Sequence, residues 1–138
     1  KREEALKVID KAIEHHKQNP IAWARRGQVL RRMKEFETAI DAYIKALELD
    51  PNYAWAWNGK GLCYSALEQW AEALVCYETA IKFDPKDVWF WHNQGETLIQ
   101  LNRPDEAETV LQKALEIAPN HQPTVQKLRI IQDNSKEQ

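Results

Sequence analysis

Residues 57–85, WNGKGLCYSALEQWAEALVCYETAIKFDP, read as two amphipathic helices with a break between them, and the pattern recurs along the chain at one interval. Trp23, Trp57 and Trp91 are spaced 34 residues apart, and Gly27, Gly61 and Gly95 keep the same step. So do Ala39, Ala73 and Ala107, then Ala46, Ala80 and Ala114, with Pro51, Pro85 and Pro119 closing each unit. A period of this length marks a solenoid, because each unit is one helix pair that cannot bury its apolar face alone. The expected fold is therefore all-α, and a stacked array of this kind points to binding rather than to chemistry.

The chain has 138 residues, enough for one domain with a continuous core, and 43% of them are apolar. A formal net charge of −2 argues against a general nucleic-acid or anionic-membrane binder, which needs an excess of Lys and Arg. No apolar run reaches the ~18 residues of a spanning helix, and no signal peptide is visible, so a cytoplasmic location is expected. Cys63 and Cys76 fall at non-equivalent repeat positions and read as reduced, buried thiols.

Taken in order, residues 3–19 should be the second helix of a truncated repeat, since Ala5 and Ala12 fall one period before Ala39 and Ala46. Its apolar stripe, Leu6, Ile9 and Ile13, has no earlier partner helix. That suggests a fragment of a longer array, or a face that recruits a second copy. Repeats are expected at 20–53, 54–87 and 88–121, followed by a capping helix at 122–133 and a polar tail at 134–138. Breaks fall at Asp50-Pro51-Asn52, Glu68-Gln69, Asp84-Pro85-Lys86 and Asn102-Arg103-Pro104. Val125, Leu128 and Ile131 give the last helix one apolar face, and Arg129 stands at the glycine-equivalent position, where no further helix needs to pack.

Trp57, Gly61, Tyr64, Ala73, Tyr77, Ala80 and Pro85 carry a resemblance to the tetratricopeptide repeat, and the match holds in phase over nearly the whole chain. The chain departs from the pattern at the residue before each glycine, where Arg26, Lys60 and Gln94 replace the usual leucine. Such long side chains can bury their stems and keep their heads wet. Pro104 and Glu108 depart further, so the third unit should be the loosest. The resemblance implies a right-handed superhelix whose first helices line a concave groove for a peptide or partner helix, with no chemistry of its own.

Nothing in the residues opposes that. His15, His16, His92 and His121 lack metal-ligand spacing and read as solvated, and there is no nucleotide-binding or nucleophile motif. No catalytic residue, metal or cofactor is expected. On the implied fold, the groove wall comprises Arg25, Gln28, Arg31, Arg32, Trp55, Asn58, Leu62, Trp89, His92, Asn93, Glu96 and Lys127. Arg25, Arg31 and Arg32 would favour a carboxylate or phosphate. Trp55 and Trp89 stand two residues before the repeated Trp57 and Trp91, where the framework needs no aromatic, and would serve as anchors. Asn58 and Asn93 could each hold a peptide backbone.

The terminal-carboxylate clamp of heat-shock co-chaperones would place its residues at Ala24, Gln28, Gly59, Trp89 and Asn93, and none of its three basic positions is met. The expected partner is thus a protein or peptide of another kind, with no nucleic acid and no membrane. Pentatricopeptide-type RNA binding would need basic residues along every repeat, whereas here they cluster in one. The competing readings are self-association through the first helix and a regulatory role for an enzyme encoded elsewhere.

Overall fold

The computed structural model describes residues 1–137. Among them are eight α-helices and no strand: α1 Arg2–His15, α2 Pro20–Arg32, α3 Phe36–Leu49, α4 Ala54–Ala66, α5 Trp70–Phe83, α6 Val88–Gln100, α7 Pro104–Ile117 and α8 Gln122–Lys136. α2 packs on α3, α4 on α5 and α6 on α7, and each pair stacks on the next through α3 against α4 and α5 against α6. This is an all-α solenoid.

Small residues set the spacing within each pair. Ala39, Ala46, Ala73, Ala80, Ala107 and Ala114 are all fully buried. The periodic glycines admit the second helix's largest buried side chain. A Cβ on Gly27 would lie 2.9 Å from the Tyr43 ring, one on Gly61 2.7 Å from Tyr77, and one on Gly95 2.4 Å from Leu111. Tyr43, Tyr77 and Leu111 are themselves one period apart, so a single lock is used three times.

The repeated tryptophans do more than fill the core, on which Trp23 and Trp57 both pack. Each is only partly buried. The indole N–H of Trp23 donates to the Lys17 carbonyl (3.0 Å), that of Trp57 to the Pro51 carbonyl (2.8 Å) and that of Trp91 to the Pro85 carbonyl (2.8 Å). Each indole therefore hooks the loop six residues before it and sets the angle at which a new unit begins.

α2, α4 and α6 end in a shared way too. Lys34, Glu68 and Asn102 are left-handed, with φ of 65°, 58° and 58°. The following N–H groups of Glu35, Gln69 and Arg103 bond the carbonyls of Leu30, Tyr64 and Leu98, all at 2.9 Å. This is the Schellman closure of a helix C-terminus.

Several details differ from the sequence reading. α1 stops at His15, short of residue 19, and α8 runs to Lys136, taking most of the expected polar tail into the helix; Gln138 lies outside the described residues. Two residues of the α1 stripe are covered, Ile13 by burial and Leu6 by packing on the first core cluster, while Ile9 borders an open hollow. What α1 leaves exposed is Val8, at 68%. The Arg26 head, partly exposed, makes a 2.8 Å ion pair with Asp10 of α1. Lys60 lies over its own Trp57 ring at 5.0 Å. No helix among the described residues is long and apolar enough to cross a membrane.

Candidate functional site: the inner helix face

α2, α4, α6 and α8 form the inner layer, and the expected groove residues divide along it into two dissimilar halves. Where α1, α2 and α4 meet there is an open hollow of about 510 Å³. Ile9, Ile21 and Val29 supply its aliphatic wall, Tyr53 and Trp55 its aromatic wall, and Arg25 and Gln28 its polar edge. Ile21 is 49% exposed although it stands in the first turn of a helix. Trp55 is partly buried, packed edge-on against Tyr43 (centroids 6.5 Å) and tilted over Tyr53 (6.0 Å). It is thus both a lining residue and a packing residue, rather than a free-standing anchor. Ile21 stands one period before Trp55 and was legible as a groove position, whereas Tyr53, in the turn before α4, was not among the expected binders.

The three arginines behave differently from one another. Arg25 is exposed and Arg31 partly buried, with its Nε sealed from solvent and unbonded. The exposed Arg32 lends only its backbone carbonyl, which accepts from the Arg2 guanidinium. None of the three has a carboxylate within ion-pair distance among the described residues. Burial pushes the Tyr43 hydroxyl up to about 12 against the pull of the nearby Arg31 charge.

Further along, the polar side chains are engaged with one another. Asn93 donates from Nδ2 to the Asn58 Oδ1 at 2.9 Å, and Asn58 is buried. The two asparagines expected to hold a peptide backbone instead tie α6 to α4, because a buried amide must find its partner inside the fold. Leu62, Asn93 and Glu96 border a smaller hollow of about 110 Å³.

His92 is another departure. Expected on the groove wall and solvated, it is 2% exposed. Its Nε2 bonds the Glu96 carboxylate and its Nδ1 lies 3.0 Å from the Thr124 hydroxyl. That hydroxyl is in turn 2.7 Å from Nδ1 of His121, the residue capping α8. Trp89, 49% exposed, stands edge-on to His121 (4.5 Å) and His92 (5.5 Å). The His92 bond holds the Glu96 carboxyl below its usual range, with the Lys127 charge acting the same way. Burial, then the neighbouring His92 charge, lowers His121. The cluster fastens α8 to α6. Thr124 and His121 were missed in the sequence, where their spacing of three at a helix start was the only cue.

Burial drives the thiols up, Cys63 to about 12 and Cys76 to about 11, so neither is a nucleophile near neutral pH. Among the described residues no group of three or more His, Cys, Asp or Glu could hold a metal ion.

Architecture and inner face together define a helical-repeat binding module. Models of the tetratricopeptide repeat match residues 20–53, 54–87 and 76–109, and the chain belongs to that family. Among solved structures it is similar to YrrB, described as a tetratricopeptide protein with an unusual peptide-binding site. The identity is 30%, with 92% of this chain and 66% of that one covered and a TM-score of 0.84. It also resembles MamA from Desulfovibrio magneticus RS-1 (23% identity, 98% and 76% covered, TM-score 0.88). A third likeness is to the first repeat domain of Spaghetti, solved with an HSP90 peptide (21% identity, 86% and 94% covered, TM-score 0.83). Comparison with curated protein sequences gives no match.

Proposed function

We propose that this chain is a protein-interaction scaffold, without catalysis of its own, that seats a peptide at the basic end of its inner face. The segment bound there carries a bulky apolar side chain beside a carboxylate. The observation that supports this most directly is the α1–α2–α4 hollow, where exposed apolar Ile21 and the Trp55 and Tyr53 rings adjoin Arg25, a cation with no ion-pair partner among the described residues. An unpaired arginine next to an open apolar cleft offers charge-assisted hydrogen bonds and dry surface to one ligand at once. The description of YrrB as a peptide binder agrees with the reading. The partner is a protein or peptide in this account, not a nucleic acid or a membrane.

Self-association through α1, the other reading considered, has less to rest on, since Leu6 and Ile13 are already packed within the chain. A regulatory role beside an enzyme is compatible with peptide binding and needs no separate site.

The test is a peptide-array screen followed by calorimetric titration of the best binder. Arg25→Ala and Ile21→Ala should each weaken binding by ~1–2 kcal/mol, about five- to thirtyfold, with the melting temperature nearly unchanged. Arg25→Ala should also flatten the salt dependence. Trp55→Ala should weaken binding and also lower stability, because Trp55 supports Tyr43. If both Arg25→Ala and Ile21→Ala bind as the parent does while Trp89→Ala does not, the ligand lies at the other end and the proposal fails.

A further inference from the structure

One slot in the repeat is built three ways. In the first unit the residue before the periodic glycine, Arg26, reaches back to α1 and pairs with Asp10 at 2.8 Å. One period on, the same two positions hold Lys60 and Ile44, and Lys60 turns instead onto Trp57. Two periods on they hold Gln94 and Glu78, so the acid has returned without its cation. Here the structure leaves a crevice of about 290 Å³ between α5 and α7, with the α6 side chain of Gln94 reaching into its lining.

Its polar groups are out of balance. The Gln94 Oε1 is sealed from solvent and accepts no hydrogen bond. Glu78 forms no ion pair among the described residues, whereas the other rim charges, Arg103 and Glu106, neutralise each other. Leu74, Leu98 and Val110 form an apolar wall beside them. A sealed acceptor without a donor costs free energy, while Glu78, which is exposed, stays hydrated and adds an unneutralised negative charge to the rim.

We propose that this outer crevice receives an arginine side chain presented by a partner protein. A guanidinium is planar and carries several N–H donors, so it can serve an amide oxygen and a carboxylate together, and its stem suits an aliphatic wall. An ammonium is a more strongly hydrated point charge and gives up more on entering. The volume is at the lower bound of the roughly 300–1,000 Å³ typical of small-molecule sites, which favours a single side chain over a free metabolite. The chain already uses this chemistry once, in the Arg26–Asp10 pair. The crevice is lined from α5, α6 and α7 and shares no residue with the α1–α2–α4 hollow, so the proposal stands independently of the peptide site.

The experiment is an NMR titration of the isotopically labelled full chain with N-acetyl-arginine N-methylamide, run in parallel with the citrulline analogue, which keeps the shape and loses the charge. The arginine probe should give saturable shifts at the Gln94 side-chain amide and at Leu74, Leu98 and Val110, with the citrulline probe weaker by about tenfold or more. Glu78→Gln should weaken the arginine probe by a similar factor, about tenfold. Gln94→Arg should abolish the response, because its own guanidinium would occupy the slot as Arg26 does, and should raise the melting temperature. Equal responses to the two probes, shifts confined to other residues, or an undiminished titration in Gln94→Arg would each overturn the assignment.

Discussion

At Lys34, Glu68 and Asn102 the backbone makes the same left-handed turn under three different side chains. A non-glycine residue in that region costs roughly 1–2 kcal/mol, less for asparagine, whose short side chain tolerates it. Asn102 is thus the best suited of the three, and the exposed Glu68 has nothing to offset its strain. Glu68→Gly should raise stability by roughly 0.5–1 kcal/mol, the relief of strain exceeding the added freedom of the unfolded glycine. Chemical denaturation of the two proteins measures this, and a lower midpoint for the glycine variant would contradict it. The opposite logic holds at Gly27, where the Tyr43 ring leaves no room for a methyl group.

At the level of elements, α8 is held by the relay of Glu96, His92, Thr124 and His121, and two of these groups make the junction acid-sensitive. His121 is lowered from 6.5 and Glu96 from 4.5, so in both cases the unfolded chain takes up a proton at a pH where the folded one resists it. Each contribution is therefore complete above the ordinary value and is lost as pH falls, His121 just below the usual histidine range and Glu96 below the usual carboxylate range. The melting temperature should fall as pH is lowered from about 8 to about 5, and His121→Asn should flatten that first decline. A melting temperature that climbs over this interval would show the sign to be wrong.

The same junction marks the limit of what could be read beforehand. The helix pairs were legible because glycine, alanine and tryptophan recur in phase and each has one structural use. Thr124 and His121 have no repeat-equivalent role, since only the last unit meets a capping helix. Asn58 and Asn93 were legible as inner-face residues, but their mutual bond depends on how far α4 and α6 rotate toward each other, which no periodicity encodes.

Across the whole molecule, the order of packing predicts the order of opening. Stability in a stacked array is a sum over neighbouring contacts, so units flanked on both sides are the best protected. The largest cluster is built mainly from α2, α3 and α4, and a second joins α5, α6, α7 and α8. Hydrogen exchange should be slowest in the amides of α3 and α4 and fastest in α1 and the end of α8. Uniform protection from end to end would mean that the chain opens as one unit. The inner face is graded in the same direction, with uncompensated arginines at one end and mutually bonded polar groups at the other, and only the first of these was visible in the sequence, as the cluster of basic residues in one repeat.

The indole hooks have a spectroscopic consequence. Trp23, Trp57 and Trp91 stand at successive junctions, each with its N–H on a loop carbonyl, and Trp57 also carries the Lys60 ammonium over its ring. Leaving one of them in place while the other indoles are replaced by phenylalanine would turn that residue into a lamp on a single joint. Each of three such proteins would report its own joint, the colour changing only when that joint gave way.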